Sequence, residues 1–406
     1  MKTEVTNILL TGATGILGSE VMYQLLAAYA SGKLSGKLVL LIRSIPEKTA
    51  EERLLHMLEY PERPQYIHAY STAQLMEHIL VIDAVYYQLT PADTAAIAAQ
   101  GPLYLIHSAA STNLGYTAEA LREIYQLNYL GTLHLLKTLT PYLRKFTFIS
   151  TIYSKDILAG TITDEYINLS DDGLPADWDM VMPQSPYILY KIIIEREIVT
   201  WCVQQQLEWQ ILRPGLIAGR LTDIPLYHAA KYNVFYQIGI VFTNWKARNP
   251  GLQFPASRIA GKATTQIDIV PVDYVAQAIC RAFCHPDIRQ LNIILSKPIS
   301  LREIADEIFR HNEEYYEFTD HIPDNQTPQE SYYYQKCGDV YTRYLLMPPH
   351  QFNTSRLRTL MHDVPEPDIT AVFQQLYSYA HQRRFSTGWE NYRSQKKGMV
   401  ASGLKC

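Results

Sequence analysis

The sequence predicts an α/β protein with a doubly wound parallel sheet, and three observations support this fold class. Short apolar segments alternate with longer segments of helical periodicity through the first half of the chain. The apolar segments lack the polar–apolar alternation of half-exposed strands, which indicates strands buried on both faces of a parallel sheet. A glycine-rich loop joins the first apolar segment to the first helical one, as in folds that bind ligands at the carboxyl ends of their strands.

The predicted elements alternate regularly along the chain. Strands are predicted at Asn7–Leu10, Leu38–Ile42, Ile79–Ile82, Leu103–Ile106, Phe146–Ile149 and Trp209–Leu212. Helical periodicity fills longer stretches between them, among them Leu17–Ala30, Ala118–Thr138 and Pro186–Gln206. Repeated β-α units of this kind form a Rossmann domain.

The rhythm is interrupted after Arg213-Pro214-Gly215 and returns as a β-α-β signal at Ile267–Leu295. We therefore predict that residues 1–219 and 267–296 form a dinucleotide-binding Rossmann domain. A smaller, mainly helical C-terminal substrate-binding domain is predicted for residues 220–266 and 297–385, and a flexible polar tail for 386–406.

The composition is that of a folded globular protein and argues against some classes of partner. Of the 406 residues, 47% are apolar and 19% are charged, and the net charge is −4. Such a chain has no overall basic field that would attract nucleic acid or an anionic membrane. The cysteines are odd in number and scattered, which suits a reducing cytosol and predicts no metal site. They are Cys202, Cys280, Cys284, Cys337 and Cys406.

Targeting and membrane-spanning segments are not found in the sequence. The N-terminus leads directly into a strand without the regions of a signal peptide. No apolar run reaches the ~20 residues that a membrane helix needs, and the longest candidate, Tyr232–Trp245, is interrupted by Asn233, Gln237 and Gly239. We therefore expect a cytoplasmic protein with no integral membrane segment, and we make no prediction of its oligomeric state.

The first chemical motif is Thr11-Gly12-Ala13-Thr14-Gly15-Ile16-Leu17-Gly18, directly after a predicted strand and at the start of a helix. Glycines let the backbone turn tightly and approach a pyrophosphate without an intervening Cβ. The free N–H groups and the positive dipole end of the helix attract the phosphates. The sequence therefore predicts a dinucleotide site here, although the G-x-x-G-x-x-G spacing differs from the G-x-G-x-x-G of many dehydrogenases.

The end of the second strand predicts which dinucleotide binds. An acidic residue there favours NAD by binding the ribose 2′-hydroxyl, whereas a basic residue tolerates the 2′-phosphate of NADP. Arg43 occupies this position and no acidic residue precedes Glu47, so we expect NADPH. A simple surface role for Arg43 stays open. Arg53 could reach the same phosphate, but a solvated helix face explains it equally well.

Two further motifs predict a catalytic centre. Tyr187 and Lys191 are separated by one helical turn, so both side chains lie on one face of a helix. A phenol titrates near pH ~10, and a nearby ammonium is expected to bring its pKa towards neutrality for proton transfer. Ser150-Thr151 follows the fifth strand, where a hydroxyl can hydrogen-bond a substrate oxygen; an ordinary polar end of a strand is the alternative.

The order of these motifs resembles that of extended short-chain dehydrogenases/reductases over about residues 5–310. Within that superfamily, Leu41-Ile42-Arg43, Leu127–Thr132 and Ile149–Tyr153 look more like the thioester-reductase and fatty-acyl-reductase branch than the sugar-nucleotide branch. The motifs that carry the resemblance are Thr11–Gly18, His107-Ser108-Ala109-Ala110, Asn128 with Gly131-Thr132, Ser150-Thr151, Tyr187 with Lys191, Arg213-Pro214-Gly215 and Val272-Asp273-Tyr274-Val275.

The resemblance implies roles for individual residues. Thr151 would polarise the substrate carbonyl, Tyr187 would donate the proton, and Lys191 would bind the nicotinamide ribose and tune Tyr187. Asp83 is expected beside the adenine, and Asn128 is expected to support the active-site helix. The complete set implied to bind the cofactor is Gly12, Thr14, Gly15, Ile16, Leu17, Gly18, Arg43, Arg53, Asp83, Ala109, Asn128, Lys191, Pro214 and Gly215.

The sequence also departs from some members of this superfamily. Sugar-nucleotide 4,6-dehydratases carry an Asp-Glu pair directly after the strand-five threonine, where this chain has Ile152 and Tyr153. Epimerases that retain NAD usually have an acidic residue at the position of Arg43. The segment between Thr151 and Tyr187 is longer than in compact relatives, and it predicts either a flap or a solvated loop. Its acidic residues are Asp164, Glu165, Asp171, Asp172, Asp177 and Asp179.

Three functions follow from this reading. The first is an NADPH-dependent reductase of an acyl thioester, bound to coenzyme A or to a carrier protein acting in trans, to an aldehyde or on to an alcohol. Tyr232–Trp245 would then hold the acyl chain, or it is ordinary core. The second is an NADP(H)-dependent alcohol or ketone dehydrogenase, or a sugar-nucleotide enzyme. The third is a catalytically silent dinucleotide-binding protein, against which the intact Thr151, Tyr187 and Lys191 argue.

Overall fold

A seven-stranded parallel sheet runs through the computed structural model, which describes residues 6–155, 159–167, 185–252 and 255–386. The chain order reverses between two central strands, β1 and β4, and this reversal is the switch point of a doubly wound sheet. The Rossmann fold predicted from the sequence is therefore confirmed. The strands in spatial order are β3 (Ile79–Ile82), β2 (Leu38–Leu41), β1 (Asn7–Thr11), β4 (Leu103–His107), β5 (Leu143–Ile149), β7 (Glu208–Pro214) and β12 (Gln290–Ile293).

The strands lack polar–apolar alternation because both faces of the sheet are covered. Ile8 and Leu10 point into the larger apolar cluster, whereas Leu9 between them points into a second cluster on the opposite face. All three residues are fully buried. Successive residues of a strand face opposite sides, so a strand between two layers of helices must be apolar throughout.

Helices flank the sheet on both faces. The helix predicted over Ala118–Thr138 is divided in the structure, because Ile124–Leu130 in its middle is π-helical. The long helices predicted to begin at Leu17 and Pro186 begin at Ile16 and Pro186. The helices of this part are α1 (Ile16–Ala30), α2 (Ala50–Leu58), α3 (Thr72–Met76), α4 (Pro91–Ala98), α5 (Ala118–Glu123), α6 (Gly131–Leu139) and α7 (Pro186–Gln204).

The chain after β7 is mainly helical, both in residues 220–266 and 297–385, predicted to form the substrate-binding domain, and in residues 267–296, predicted to belong to the Rossmann domain. Its helices are α8 (Phe235–Arg248), α9 (Val272–Phe283), α10 (Leu301–Asn312), α11 (Pro328–Tyr333), α12 (Asp339–Leu345), α13 (Ser355–Leu360) and α14 (Ile369–Gln382). Short strand pairs join distant segments: β6 (Gly160–Ile162) with β15 (His350–Phe352), β8 (Leu216–Ala218) with β11 (Ile269–Pro271), β9 (Ser257–Ala260) with β14 (Tyr316–Thr319), and β10 (Gln266–Ile267) with β13 (Ile299–Ser300).

Buried polar contacts connect the two predicted parts. The Arg220 guanidinium, 2% exposed, donates to the Glu20 carboxylate of α1 at 2.8 Å. At the start of α9, the Asp273 carboxylate accepts the N–H groups of Thr222 at 2.6 Å and Asp223 at 2.7 Å. The larger apolar cluster also continues from α1 to α14. The domain boundaries near residues 220, 267 and 297 therefore stay a prediction.

The acidic insert is described only in part. The Asp164 carboxylate accepts the N–H of Asn292 at 2.6 Å and so lies against the outer strand β12, whereas Glu165 pairs with Arg356 of α13 at 2.7 Å. Asp171, Asp172, Asp177 and Asp179 lie outside the described residues, as does the predicted tail beyond Ser386. Within the described ranges, no helix is both long enough and apolar enough to span a membrane.

Candidate active site

A cleft of about 1040 Å³ lies at the carboxyl ends of the central strands. One wall carries the glycine-rich loop, the ends of β4 and β5, and Pro214-Gly215 after β7. The facing wall comes from α8, α10 and α12. This is the position at which doubly wound sheets bind their ligands.

The glycine-rich loop has the shape that a bound pyrophosphate requires. Gly12 has a φ of +77°, and a Cβ there would lie 2.7 Å from the backbone nitrogen of Ala109. A Cβ on Gly18 would lie 2.0 Å from the carbonyl oxygen of Gly12, because α1 packs directly on the loop. The free N–H groups at the start of α1 therefore remain open towards the cleft, where phosphates can accept them.

His107 fastens this loop to the end of β4. Its Nδ1 lies 2.7 Å from the Thr11 hydroxyl and its Nε2 lies 2.8 Å from the Thr132 hydroxyl. The Thr11 oxygen also accepts the N–H of Ala109 at 3.3 Å. Burial lowers the pKa of His107 to about 3, so its ring is neutral at physiological pH. This residue of the His107–Ala110 motif supports the loop.

Arg43 and Arg53 line the cleft beside the end of β2. Arg53 donates to the Thr14 hydroxyl at 3.1 Å and to the carbonyl oxygen of Arg43, so it joins the second strand end to the glycine-rich loop. Arg53 is half-buried on α2, and its predicted contact with a 2′-phosphate stays a prediction. Tyr86 and Tyr87, which the sequence did not single out, line the same end of the cleft.

Two of the residues implied to bind the cofactor have side chains engaged elsewhere. Asp83 accepts the N–H of Ser44 at 2.7 Å and is not among the residues that line the cleft. Asn128 exchanges two hydrogen bonds of 2.8 Å with the backbone of Ser111. In this structure Asp83 therefore holds the loop after β2, and Asn128 holds the loop after β4 rather than the active-site helix.

Thr151, Tyr187 and Lys191 line the middle of the cleft. Thr151 is the second residue after the end of β5, and α7 presents the other two side chains one turn apart. The Lys191 ammonium is 3% exposed and donates to the carbonyl oxygen of Ile149 at 2.9 Å. The three groups predicted from separate motifs thus lie in one cavity.

The expected effect of Lys191 on the phenol is not found. The ammonium lies 5.8 Å from the centre of the Tyr187 ring and is engaged by the Ile149 carbonyl. Burial raises the pKa of Tyr187 to about 12 and lowers the pKa of Lys191 to about 7. Desolvation dominates both pKa shifts, so Tyr187 is a protonated phenol at neutral pH.

Behind these groups, Glu195 extends the same face of α7 by one more turn. It is 1% exposed and pairs with Arg213 of β7, whose guanidinium nitrogens lie 2.6 Å and 3.0 Å from its two oxygens. Ser154, three residues after Thr151, donates its hydroxyl proton to Glu195. This network ties α7 to β5 and β7, and the sequence motif showed only its Arg213 end.

Helices α8, α10 and α12 also contribute residues to the cleft. Phe235 and Ile238 of the predicted acyl-chain segment line the cleft, whereas Phe242 of the same helix is fully buried in the core. Part of Tyr232–Trp245 is therefore core, and the binding of an acyl chain by the residues that line the cleft stays a prediction. The wall also includes Lys231, Asn233, Leu301, Ile304, Lys336, Cys337, Val340, Tyr341 and Tyr344.

The residues present fit a nicotinamide dinucleotide. One cleft contains a glycine loop that a Cβ would fill, the uncapped start of α1, two arginines and Lys191. Within the described part of the chain, no group of three or more His, Cys, Asp or Glu residues is arranged to hold a metal ion.

A family model described as "Male sterility protein", an NAD-binding family, matches residues 10–279. The chain belongs to this family. The match spans the glycine-rich loop, Thr151, Tyr187 and Lys191, and it confirms the resemblance to the reductase branch of extended short-chain dehydrogenases/reductases. This member of the male sterility family is thus an NAD(P)-dependent oxidoreductase. A search of curated protein sequences finds no match.

Solved structures share the fold at low sequence identity. The terminal R domain of the myxalamid PKS-NRPS pathway has a TM-score of 0.63 and 18% identity, over 95% of this chain and 93% of that one. A thiolation-reductase di-domain of an archaeal non-ribosomal peptide synthetase has a TM-score of 0.64 and 19% identity, over 94% and 76%. The UDP-glucuronic acid 4-epimerase of Bacillus cereus has a TM-score of 0.57 and 17% identity, over 93% and 99%.

Proposed function

We propose that this protein is an NADPH-dependent reductase that converts an acyl thioester into an aldehyde and a thiol. One observation carries the proposal: a single cleft joins the dinucleotide loop, the Thr151–Tyr187–Lys191 group and an apolar wall. A polar reaction centre between a cofactor cradle and an apolar surface suits a carbonyl compound that carries an acyl chain.

Arg43 and Arg53 support NADPH rather than NADH as the cofactor. Their guanidinium groups lie at the end of β2 and beside the glycine-rich loop, where a 2′-phosphate needs cationic donors. Lys191 would bind the ribose hydroxyls next to the nicotinamide. The bound dinucleotide supplies the hydride.

The chain itself orients the carbonyl and provides the proton. The hydroxyl groups of Thr151 and Tyr187 would donate hydrogen bonds to the thioester oxygen and stabilise the charge that develops on it. Tyr187 then gives its proton to that oxygen, which its raised pKa allows because the phenol is protonated at neutral pH. The resulting hemithioacetal loses the thiol and leaves the aldehyde.

The thioester would be carried by coenzyme A or by the phosphopantetheine arm of a carrier protein acting in trans. The male sterility family match and the structural similarity to reductase domains support a thioester, and the thiolation domain beside one of those reductases supports a carrier protein. A second reduction of the aldehyde in the same cleft would give the alcohol.

The test is an NADPH oxidation assay over a substrate panel. Acyl-coenzyme A of several chain lengths and acyl-phosphopantetheinyl carrier protein are expected to oxidise NADPH and release a free thiol, whereas nucleotide sugars and sterol-like ketones are not. Turnover of ketones, alcohols or nucleotide sugars with no thioester reduced would replace the proposal with the second function. A chain that binds NADPH and reduces nothing would support the silent dinucleotide-binding protein.

Replacing the phenol hydroxyl tests the assigned proton donor. Tyr187→Phe is expected to lower kcat by ~10²–10⁴-fold, because general acid catalysis contributes about this much. The NADPH dissociation constant should stay close to that of the wild type, since Tyr187 does not bind the phosphates. A variant that keeps more than half of the wild-type kcat would contradict the assignment.

A further inference from the structure

We propose that Tyr344, on α12 of the substrate-binding part, is a positioning residue for Tyr187. It supports the first turn of α7 through Ser185 and thereby sets the place of the phenol in the cleft. The inference rests on the proposed function, because it assigns proton donation to Tyr187.

The hydroxyl group of Tyr344 meets the start of the helix that carries Tyr187. Its oxygen lies 3.3 Å from the Oγ atom of Ser185, which is fully buried. Ser185 caps α7, since its Oγ accepts the N–H of Ile188 at 3.4 Å. Tyr187 lies two residues after this cap, in the first helical turn, so a shift of the cap moves its ring.

The Tyr344 ring also contacts the segment that carries Thr151. It packs edge-on against Tyr153, with 5.4 Å between the ring centres and an angle of 72° between the planes. The N–H of Tyr153 in turn donates to the Thr151 hydroxyl at 3.4 Å. One side chain of α12 thus supports both sides of the reaction centre, and it lines the same cleft.

The chain around Tyr344 is held firmly enough to act as a support. The carbonyl oxygen of Leu345 accepts the Lys262 N–H at 3.0 Å and the Thr265 hydroxyl at 2.8 Å. The neighbouring Arg343 guanidinium lies 4.5 Å from the centre of the Tyr116 ring, in the loop before α5. A residue fixed by its neighbours in this way can hold a helix end in register.

The first experiment compares two hydroxyl deletions in tyrosines of the same part of the chain. Tyr344→Phe keeps the ring and its contact with Tyr153 and removes only the bond to Ser185. We expect kcat with octanoyl-coenzyme A and with octanal to fall about three- to tenfold, in line with the loss of one hydrogen bond. The KM for octanoyl-coenzyme A and the NADPH dissociation constant should stay unchanged. Tyr334→Phe is the control, because its buried hydroxyl donates to the Arg258 carbonyl at 2.9 Å away from the cleft, and it should leave kcat unchanged.

The second experiment tests whether Tyr344 acts through Ser185. Ser185→Ala should also lower kcat, and Ser185→Thr, which keeps a hydroxyl, should restore it. The double variant Tyr344→Phe/Ser185→Ala should lose no more activity than Ser185→Ala alone, since coupled residues are not additive. Hydrogen exchange of the amides of residues 187–191 should be faster in Tyr344→Phe than in the wild type and in Tyr334→Phe.

These readouts separate the failure of the inference from the failure of the proposed function. A wild type that reduces octanal and no thioester would refute the thioester assignment while kcat with octanal still tests Tyr344. Wild-type kinetics in Tyr344→Phe, additive losses in the double variant, or unchanged hydrogen exchange in the start of α7 would each overturn the role of Tyr344.

Discussion

Side chains around the reaction centre are held in defined ionisation states by burial. The pKa of Tyr187 is raised to about 12, so this residue carries a proton at neutral pH and can donate it. The pKa of Lys191 is lowered to about 7, so its charge responds to pH in the physiological range. Neighbouring His107 is neutral, because burial and the Lys191 charge lower its pKa to about 3.

Cofactor affinity should therefore fall as the pH rises through 7. Below pH 7 the Lys191 side chain is already an ammonium before the cofactor binds. Above pH 7 it is mostly neutral, so Lys191 must take up a proton to form the favoured complex. The NADH dissociation constant is expected to increase by up to about tenfold per pH unit between about pH 7 and 9. NADH is chosen because the 2′-phosphate of NADPH titrates itself. Lys191→Met should bind NADH more weakly, and its dissociation constant should not rise with pH in this way. An equal pH dependence in the variant would assign the effect to another group.

Cofactor choice is expected to depend on Arg43. A hydrogen bond to a charged phosphate corresponds to roughly a ten- to hundredfold preference for NADPH over NADH. Arg43→Asp should weaken NADPH much more than NADH, measured as dissociation constants at fixed ionic strength. Arg144→Asp makes the same charge change at the exposed start of β5, away from the cleft, and is the control. If the wild type bound NADPH and NADH with equal affinity, Arg43 would be a surface charge without a role in cofactor choice.

Among the elements, the loop between β1 and α1 and the helix α7 determine the site. At this loop Gly18 packs against the Gly12 carbonyl, and Gly12 packs against the backbone of Ala109. Neither contact leaves room for a side chain on the glycine. Helix α7 presents Tyr187, Lys191 and Glu195 on one face at successive turns, so the candidate proton donor and its support share one rigid element.

Filling the space at Gly18 should weaken cofactor binding. Gly18→Ala would place a Cβ 2.0 Å from a backbone oxygen that cannot move without displacing the loop. We expect the NADPH dissociation constant to rise by more than about tenfold, as overpacking of this kind costs roughly 1–3 kcal/mol. Gly15→Ala is a graded comparison, since its Cβ would lie 3.2 Å from the same oxygen. Equal affinities in Gly15→Ala and Gly18→Ala would argue against the close contact.

At the scale of the whole molecule, buried ion pairs connect segments that are far apart in the sequence. Glu20 and Arg220 are separated by 200 residues and are both almost fully buried. A pair of this kind adds little net stability by itself, but removing one partner leaves the other charge buried and uncompensated.

Arg220→Met is therefore expected to lower the free energy of unfolding by about 3–5 kcal/mol. The double variant Glu20→Gln/Arg220→Met should recover part of this loss, because no buried charge remains. Arg281→Met breaks the exposed pair with Asp363 and should cost less than about 1 kcal/mol. Urea titrations of the four proteins measure these differences; similar losses in Arg220→Met and Arg281→Met would contradict the argument.

The sequence by itself determined those helices, strands and site residues that a pattern of neighbouring residues encodes. Strand apolarity, helical periodicity and the glycine spacing depend on neighbours within a few residues, so the sheet, α1 and α7 were predictable to within a few residues. Thr151, Tyr187 and Lys191 were found because each adjoins such an element. The expected lowering of the Tyr187 pKa was wrong, because spacing on a helix says nothing about burial, and burial dominates both titrations.

Only the tertiary structure decided what faces these residues across the cleft. Tyr344 meets Ser185 from 159 positions away, and Glu195 meets Ser154 and Arg213 on separate strands and turns. No local pattern marks such residues, because contacts between distant segments depend on how helices and strands pack rather than on the spacing of neighbours. The same reason explains why the roles of Asp83 and Asn128 were not predictable. Both residues stand at positions of the family motifs, but they hold the loops after β2 and β4 through Ser44 and Ser111.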